Sequence, residues 1–143
     1  MSIRKAELSD SASIQILLSQ LGYPNTDDFI LTKMQEMLSD PDEILLVYEI
    51  NSMVVAFISV HFIPQIAVRG DFARISYFSV SEQTRNKGIG KEIESYITSI
   101  AKDRNCDRIE VHCNFHRSDA HRFYLRQGFQ EAPKYLVKKL SAN

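Results

Sequence analysis

Apolar residues recur along this chain with two periods, and the switches between them mark the elements. Residues 2–7 read as a short first strand. From Ser9 or Asp10, both good helix caps, Ile14, Leu17, Leu18 and Leu21 follow at helical spacing, and Gly22 stands where a helix ends. A second helix is predicted from Thr26, with Asp27 and Asp28 in its first turn. It carries Phe29, Ile30, Lys33, Met34 and Met37 until Asp40-Pro41-Asp42 breaks it. Residues 43–50 and 53–62 are β-rich runs joined by Asn51-Ser52, a hairpin signal. A loop at 64–70 and a strand at 72–80 come next. After polar 81–87, a helix over 88–104 carries the stripe Ile89, Ile93, Tyr96, Ile97, Ile100 and Ala101. A fifth strand at 107–114, a helix at 118–127 closed by Gly128, and a last strand at 135–140 complete the pattern. The order is strand, helix, helix, three strands, helix, strand, helix, strand. It predicts one α/β domain over 1–143 with a mixed sheet: an antiparallel meander, then a right-handed parallel crossover from 72 to 114.

Bulk properties narrow the class. With 143 residues, 44% hydrophobic and 24% charged, the chain can bury a real core. Seventeen basic and 18 acidic residues leave a net charge of -1, which disfavours a nucleic-acid partner. No stretch is apolar enough for a membrane helix, and the first residues lack the apolar run of a signal peptide, so no membrane partner is expected. Cys106 and Cys113 do not make a disulfide framework and fit a reducing, cytoplasmic setting.

The segment from Phe78 to Lys91 carries the chemistry. A strand ends, a polar turn follows, and Gly88 and Gly90 open an amphipathic helix. Amides at a helix start lack intrahelical partners and carry the positive end of its dipole. Glycines remove β-carbons that would hold a phosphate away, and Arg85, Lys87 and Lys91 add charge. A pyrophosphate site is predicted here. The nucleotide P-loop pattern is absent, and the dinucleotide pattern fails because Ile93 stands where its third glycine belongs.

Arg85-x-x-Gly88-x-Gly90 after a strand resembles the coenzyme signature of the GNAT superfamily of N-acetyltransferases. Ala120-His121-Arg122-Phe123-Tyr124-Leu125-Arg126-Gln127-Gly128-Phe129 resembles the family's second signature. The two flank one helix and one strand, as in the family, and the element order matches across nearly the whole chain. The segment from Arg117 to Phe129 looks especially like aminoalkylphosphonate N-acetyltransferases and related small-molecule enzymes.

The resemblance implies a mostly antiparallel sheet whose fourth and fifth strands splay apart around acetyl-CoA as co-substrate. The backbone of Phe78, Ser79 and Val80 would line the pantetheine arm. Arg85, Asn86, Lys87, Gly88, Ile89, Gly90 and Lys91 would hold the pyrophosphate, with Asn114 near the arm. Tyr124 would give a proton to the departing thiolate, whose basicity a phenol matches. The family often places a glutamate base on the fourth strand, but this strand contains no carboxylate; Arg74 and Tyr77 hold the favoured positions. His61, Glu110, His112, His116 or a water chain remain as candidate bases. The acceptor side would be built from Tyr23, Asp27, Asp28, Phe29, Gln65 and Arg69, and the two aspartates could equally serve only the helix start.

His112, Cys113, His116 and His121 match no zinc spacing, so no metal is expected. The implied reaction is acetyl transfer to a primary amine of a small molecule. A coenzyme A-binding module without turnover and a peptide N-acetyltransferase are the alternatives. Homodimers are common in the family, though no interface pattern stands out in this chain.

Overall fold

The central hairpin explains itself from its turn. In the computed structural model, β2 (Glu43–Ile50) and β3 (Met53–Ile63) are joined by Asn51 and Ser52 at φ 49° and 64°. Two left-handed residues give a turn whose twist matches that of the paired strands. The residues described are 2–112, 118–132 and 135–141. They fall into two units, divided after His112.

In the first unit, β1 (Ser2–Lys5), β2, β3, β4 (Phe72–Val80) and β5 (Arg108–Val111) form one sheet in that order. The first three pairings are antiparallel, and β4 pairs β5 in parallel, as the strand pattern predicts. Helices α1 (Ser11–Leu21) and α2 (Ile30–Leu38) cover one face. Their Ile14, Leu17, Ile30 and Met34 join Leu45, Val47 and Phe57 of the sheet in one buried cluster. Helix α3 (Ile89–Asp103) buries Ile89, Ile93, Ile97 and Ala101, while Tyr96 of the predicted stripe is exposed.

The β4–β5 pairing runs only from Phe72↔Arg108 to Ile75↔Val111. From Ser76 to Val80, β4 has no β5 partner among the described residues. The β5 residues that would face Tyr77 onward lie outside the described residues, so the expected splay falls there too. On its other side β4 carries a bulge: Val60 pairs Ile75 and Ser59 pairs Tyr77, so Ser76 is the extra residue. Gly70 anchors the loop that leads into β4. A Cβ there would lie 2.4 Å from the Asn105 carbonyl oxygen, so the loop approaches the α3–β5 connection as only glycine permits.

Several boundaries differ from the pattern. β1 stops at Lys5, because Glu7 begins a 3₁₀ turn over Leu8–Asp10 that precedes α1. Helix α2 starts four residues after Thr26, whose carbonyl takes the amides of Phe29 and Ile30 in a preliminary turn. The second unit contains α4 (Ser118–Arg126), closed by Gly128 at φ 95° as expected. Residues 135–140, predicted as a strand, form none. Their alternation suits a sheet, but among the described residues none of them belongs to a strand; Leu136 is 94% and Leu140 93% exposed. Strand propensity is realised only against a partner.

Candidate active site

The loop after β4 is open in a particular way. Glu82–Thr84 form a 3₁₀ turn, Asn86 takes φ 67° and Gly88 φ 80°, and α3 starts at Ile89. The Thr84 amide bonds the Ser81 carbonyl, and the Glu92 amide bonds the Gly88 carbonyl. Between them, none of the amides from Arg85 to Lys91 meets an acceptor among the described residues. Arg85, Asn86, Lys87, Gly88 and Lys91 are exposed. The acid of this first turn is engaged elsewhere: Tyr48 Oη donates to Glu92 Oε2 at 2.6 Å. That bond, with burial, raises the Tyr48 phenol above its ordinary value. The loop therefore presents amides and cations without a carboxylate among them. Gly88 has empty space where a Cβ would stand, so its left-handed φ, not crowding, demands glycine.

The edge of β4 leads to this loop. The Ser81 amide bonds Val55 across β3 at 2.7 Å. By alternation, Phe78 and Val80 direct their main-chain groups away from β3. Arg85 Nε donates to the Val80 carbonyl at 3.2 Å, tying the loop to the strand end. Ser79 Oγ donates to the Leu17 carbonyl at 3.0 Å, so its side chain fixes α1 against the sheet. Asn114, His116 and Cys113 lie outside the described residues.

In the second unit, Tyr124 is buried and makes edge contacts with Phe123 and Phe129, with ring centroids 5.3 and 5.2 Å away. The Phe129 amide returns to the Tyr124 carbonyl at 3.0 Å through the Gly128 turn.

Among the base candidates, Glu110 is taken by Arg74, whose Nε and Nη2 donate to Oε1 at 3.0 and 2.8 Å. His112 is exposed, just beyond β5. His61 is the best connected: Nδ1 faces Glu43 Oε2, and Nε2 lies 2.7 Å from Ser76 Oγ. Glu43 and Ser76 carry no motif and were not among the residues the sequence singled out. Their only signal is polarity on otherwise apolar strands, and register is needed to bring them together. On the acceptor side, Tyr23 meets Tyr77 edge-on at 5.2 Å, and Gln65 Nε2 donates to the Ile63 carbonyl. Asp27, Asp28, Phe29 and Arg69 are exposed.

A profile of the acetyltransferase (GNAT) family matches residues 12–129. The chain belongs to that family and is an acetyl-CoA-dependent N-acetyltransferase. It is similar to the aminoalkylphosphonate N-acetyltransferase of Salmonella typhimurium, 26% identical over 140 residues that cover 96% of this chain and 90% of that one. Its fold matches a transcriptional regulator from Bacillus halodurans, with TM-score 0.89, 22% identity and coverage of 97% and 99%. It also matches glucosamine-6-phosphate N-acetyltransferase from Arabidopsis thaliana, with TM-score 0.85, 23% identity and coverage of 98% of each chain. Among the described residues no helix is long and apolar enough to cross a membrane.

Proposed function

We propose that this acetyltransferase acts on the primary amine of a small molecule, with the coenzyme held along the open edge of β4 and on the loop beyond it. The observation that carries the reading is the run of amides from Arg85 to Lys91 that meet no acceptor among the described residues, set directly past the end of β4. A pyrophosphate needs many donors and positive potential, and these residues supply both. The main chain of Phe78, Ser79 and Val80 offers an edge on which an extended amide-bearing arm can add like a strand. Asn114 belongs to the same proposal. Acetyl-CoA brings the activated acyl group; the chain's residues bind it, orient it and move protons. Tyr124 fits the proton donor to the leaving thiolate by its place in the second motif, and the phenol's ordinary acidity suits that task.

The choice of a small acceptor rests on the likeness to an aminoalkylphosphonate N-acetyltransferase. The test is free-thiol release from acetyl-CoA against aminoalkylphosphonates, polyamines, aminoglycosides and peptide N-termini. Turnover with a small amine is expected; acetylation confined to peptide N-termini would overturn the small-molecule reading. Tyr124→Phe should lose about a hundredfold or more in kcat while coenzyme A still raises Tm as in wild type. Equal turnover across the amines would remove Tyr124 from the acid role.

A further inference from the structure

A polar row crosses the sheet where a hydrophobic one would suffice. In register, Glu43 of β2 stands opposite His61 of β3, His61 opposite Arg74 of β4, and Arg74 opposite Glu110 of β5. The outer pair closes on itself, because Arg74 and Glu110 form an ion pair. The inner pair, Glu43 with His61, leaves the second ring nitrogen over. Glu43 Oε2 is buried, and among the described residues it faces only His61 Nδ1. A carboxylate at Nδ1 holds the proton on that nitrogen, which leaves Nε2 as an acceptor. Nε2 lies 2.7 Å from Ser76 Oγ, and Ser76 Oγ lies 3.0 Å from Ser59 Oγ. Ser59 is buried, whereas Ser76 is exposed. The bulge matters here. It makes Ser76 the extra residue of β4, at the first position past the last β4–β5 pair.

We propose that Glu43, His61 and Ser76 form a proton path that accepts the proton of the acceptor amine. The proposal rests on the reading that the coenzyme arm lies along β4. If the pyrophosphate sits past Val80 and the arm runs back along β4, its far end comes toward Ser76. Ser76 is the group that meets the amine; His61 and Glu43 act through it. As the ammonium N–H bond breaks, its proton passes to Ser76 Oγ. The hydroxyl proton of Ser76 passes to His61 Nε2. The net change is R–NH₃⁺ plus neutral imidazole giving R–NH₂ plus imidazolium, whose charge Glu43 balances. The nitrogen lone pair then forms the N–C bond as the thioester C–S bond breaks; the acylated nitrogen loses its surplus proton, the departing thiolate gains one, and the imidazolium later returns its proton to solvent. Strand β4 contains no carboxylate that could do this directly. The other charges around the path are committed: Arg74 to Glu110, and Asp42, next to Glu43, to Arg104 at 3.0 Å. Lys5, which shares a cavity lining with Glu43, donates to the Leu38 carbonyl at 3.4 Å.

Three variants and one spectrum test this. Ser76→Ala should lower kcat about a hundredfold with the KM for acetyl-CoA unchanged, and Ser76→Thr, which keeps the hydroxyl, should recover most of it. His61→Gln should lower kcat by a similar factor and abolish the fall of kcat/KM in acid that neutral imidazole imposes on wild type. Nitrogen NMR of the unliganded wild-type protein should show His61 protonated at Nδ1 and bare at Nε2, and Glu43→Gln should disturb that signature without unfolding the sheet. Variants that turn over within twofold of wild type, with the same pH profile, overturn the path and leave the acetyltransferase reading standing. A proton found on Nε2 in neutral imidazole overturns it too. Wild type inert toward every amine, with the predicted tautomer present, would count against the small-amine reading instead.

Discussion

Helices α1 and α3 each follow a strand after a short 3₁₀ turn, yet the turns that lead into them are finished in opposite ways. Before α1, the chain supplies its own anion. Asp10 is 7% exposed; it accepts the Glu7 amide at 2.8 Å and both Arg4 guanidinium nitrogens at 2.8 and 2.9 Å. Glu49 of β2 holds the same guanidinium from the other side. Before α3, no carboxylate arrives. Glu92 is turned to Tyr48, Gly88 is left-handed, and the amides from Arg85 to Lys91 stay unfilled. Neither helix has a side-chain cap on its own amides, but the turn leading into α1 is closed by the chain's own carboxylate and is a structural joint. The turn left open among cations suits the anion proposed for it.

The largest effect expected from this contrast is on stability at the closed end. Asp10→Ala leaves Arg4 without its main partner and should cost about 3 kcal/mol in denaturant unfolding, with coenzyme affinity unchanged. The same joint should show in acid. The Arg4 hydrogen bonds, against the upward push of burial, hold the Asp10 carboxyl below its ordinary value of 3.8. Its contribution is thus complete above that value and fades as pH falls through the lower value of the folded state. Asp10→Asn should flatten that part of an acid-unfolding curve.

Gly88→Ala sits at the open end and should reverse the balance. The strain of a left-handed alanine costs about 1 kcal/mol of stability, while coenzyme A affinity by calorimetry should fall by about tenfold or more. If Gly88→Ala binds coenzyme A as wild type does, the loop is not the anion site. The smallest effect is expected from Lys87→Gln. Stability should move by less than about 0.5 kcal/mol, and affinity should fall a few-fold at low salt, less at high salt.

Much of the fold was legible because its signals are local. The Asn51-Ser52 turn, the limits of β2 and β4, the Gly22 and Gly128 helix ends and the apolar stripe of α3 each depend on residues close in sequence. The strand predicted at 135–140 failed for the same reason in reverse. Alternation is local, but a strand needs a neighbour, and no local pattern supplies one. Tyr96 shows the limit at finer grain: it fits the α3 stripe by spacing and still faces solvent, because the width of a buried stripe depends on what packs against it.

The sequence by itself determined the family, the order of elements from β1 to α4, and the glycines and cations of residues 85–91 on which the proposed phosphate site rests. These depend on short-range periodicity, on glycine's access to positive φ, and on amides that every helix start exposes. Tertiary structure alone decided which polar residues act together. Gly88 and Gly70 look alike in the sequence, but Gly70 is required by a backbone crossing from the far end of α3. Glu43, His61 and Ser76 come from three strands and meet only through register and a bulge at Ser76. A one-residue slip would place them on opposite faces. That is why a histidine could be named as one base candidate among several, while its carboxylate and its hydroxyl could not.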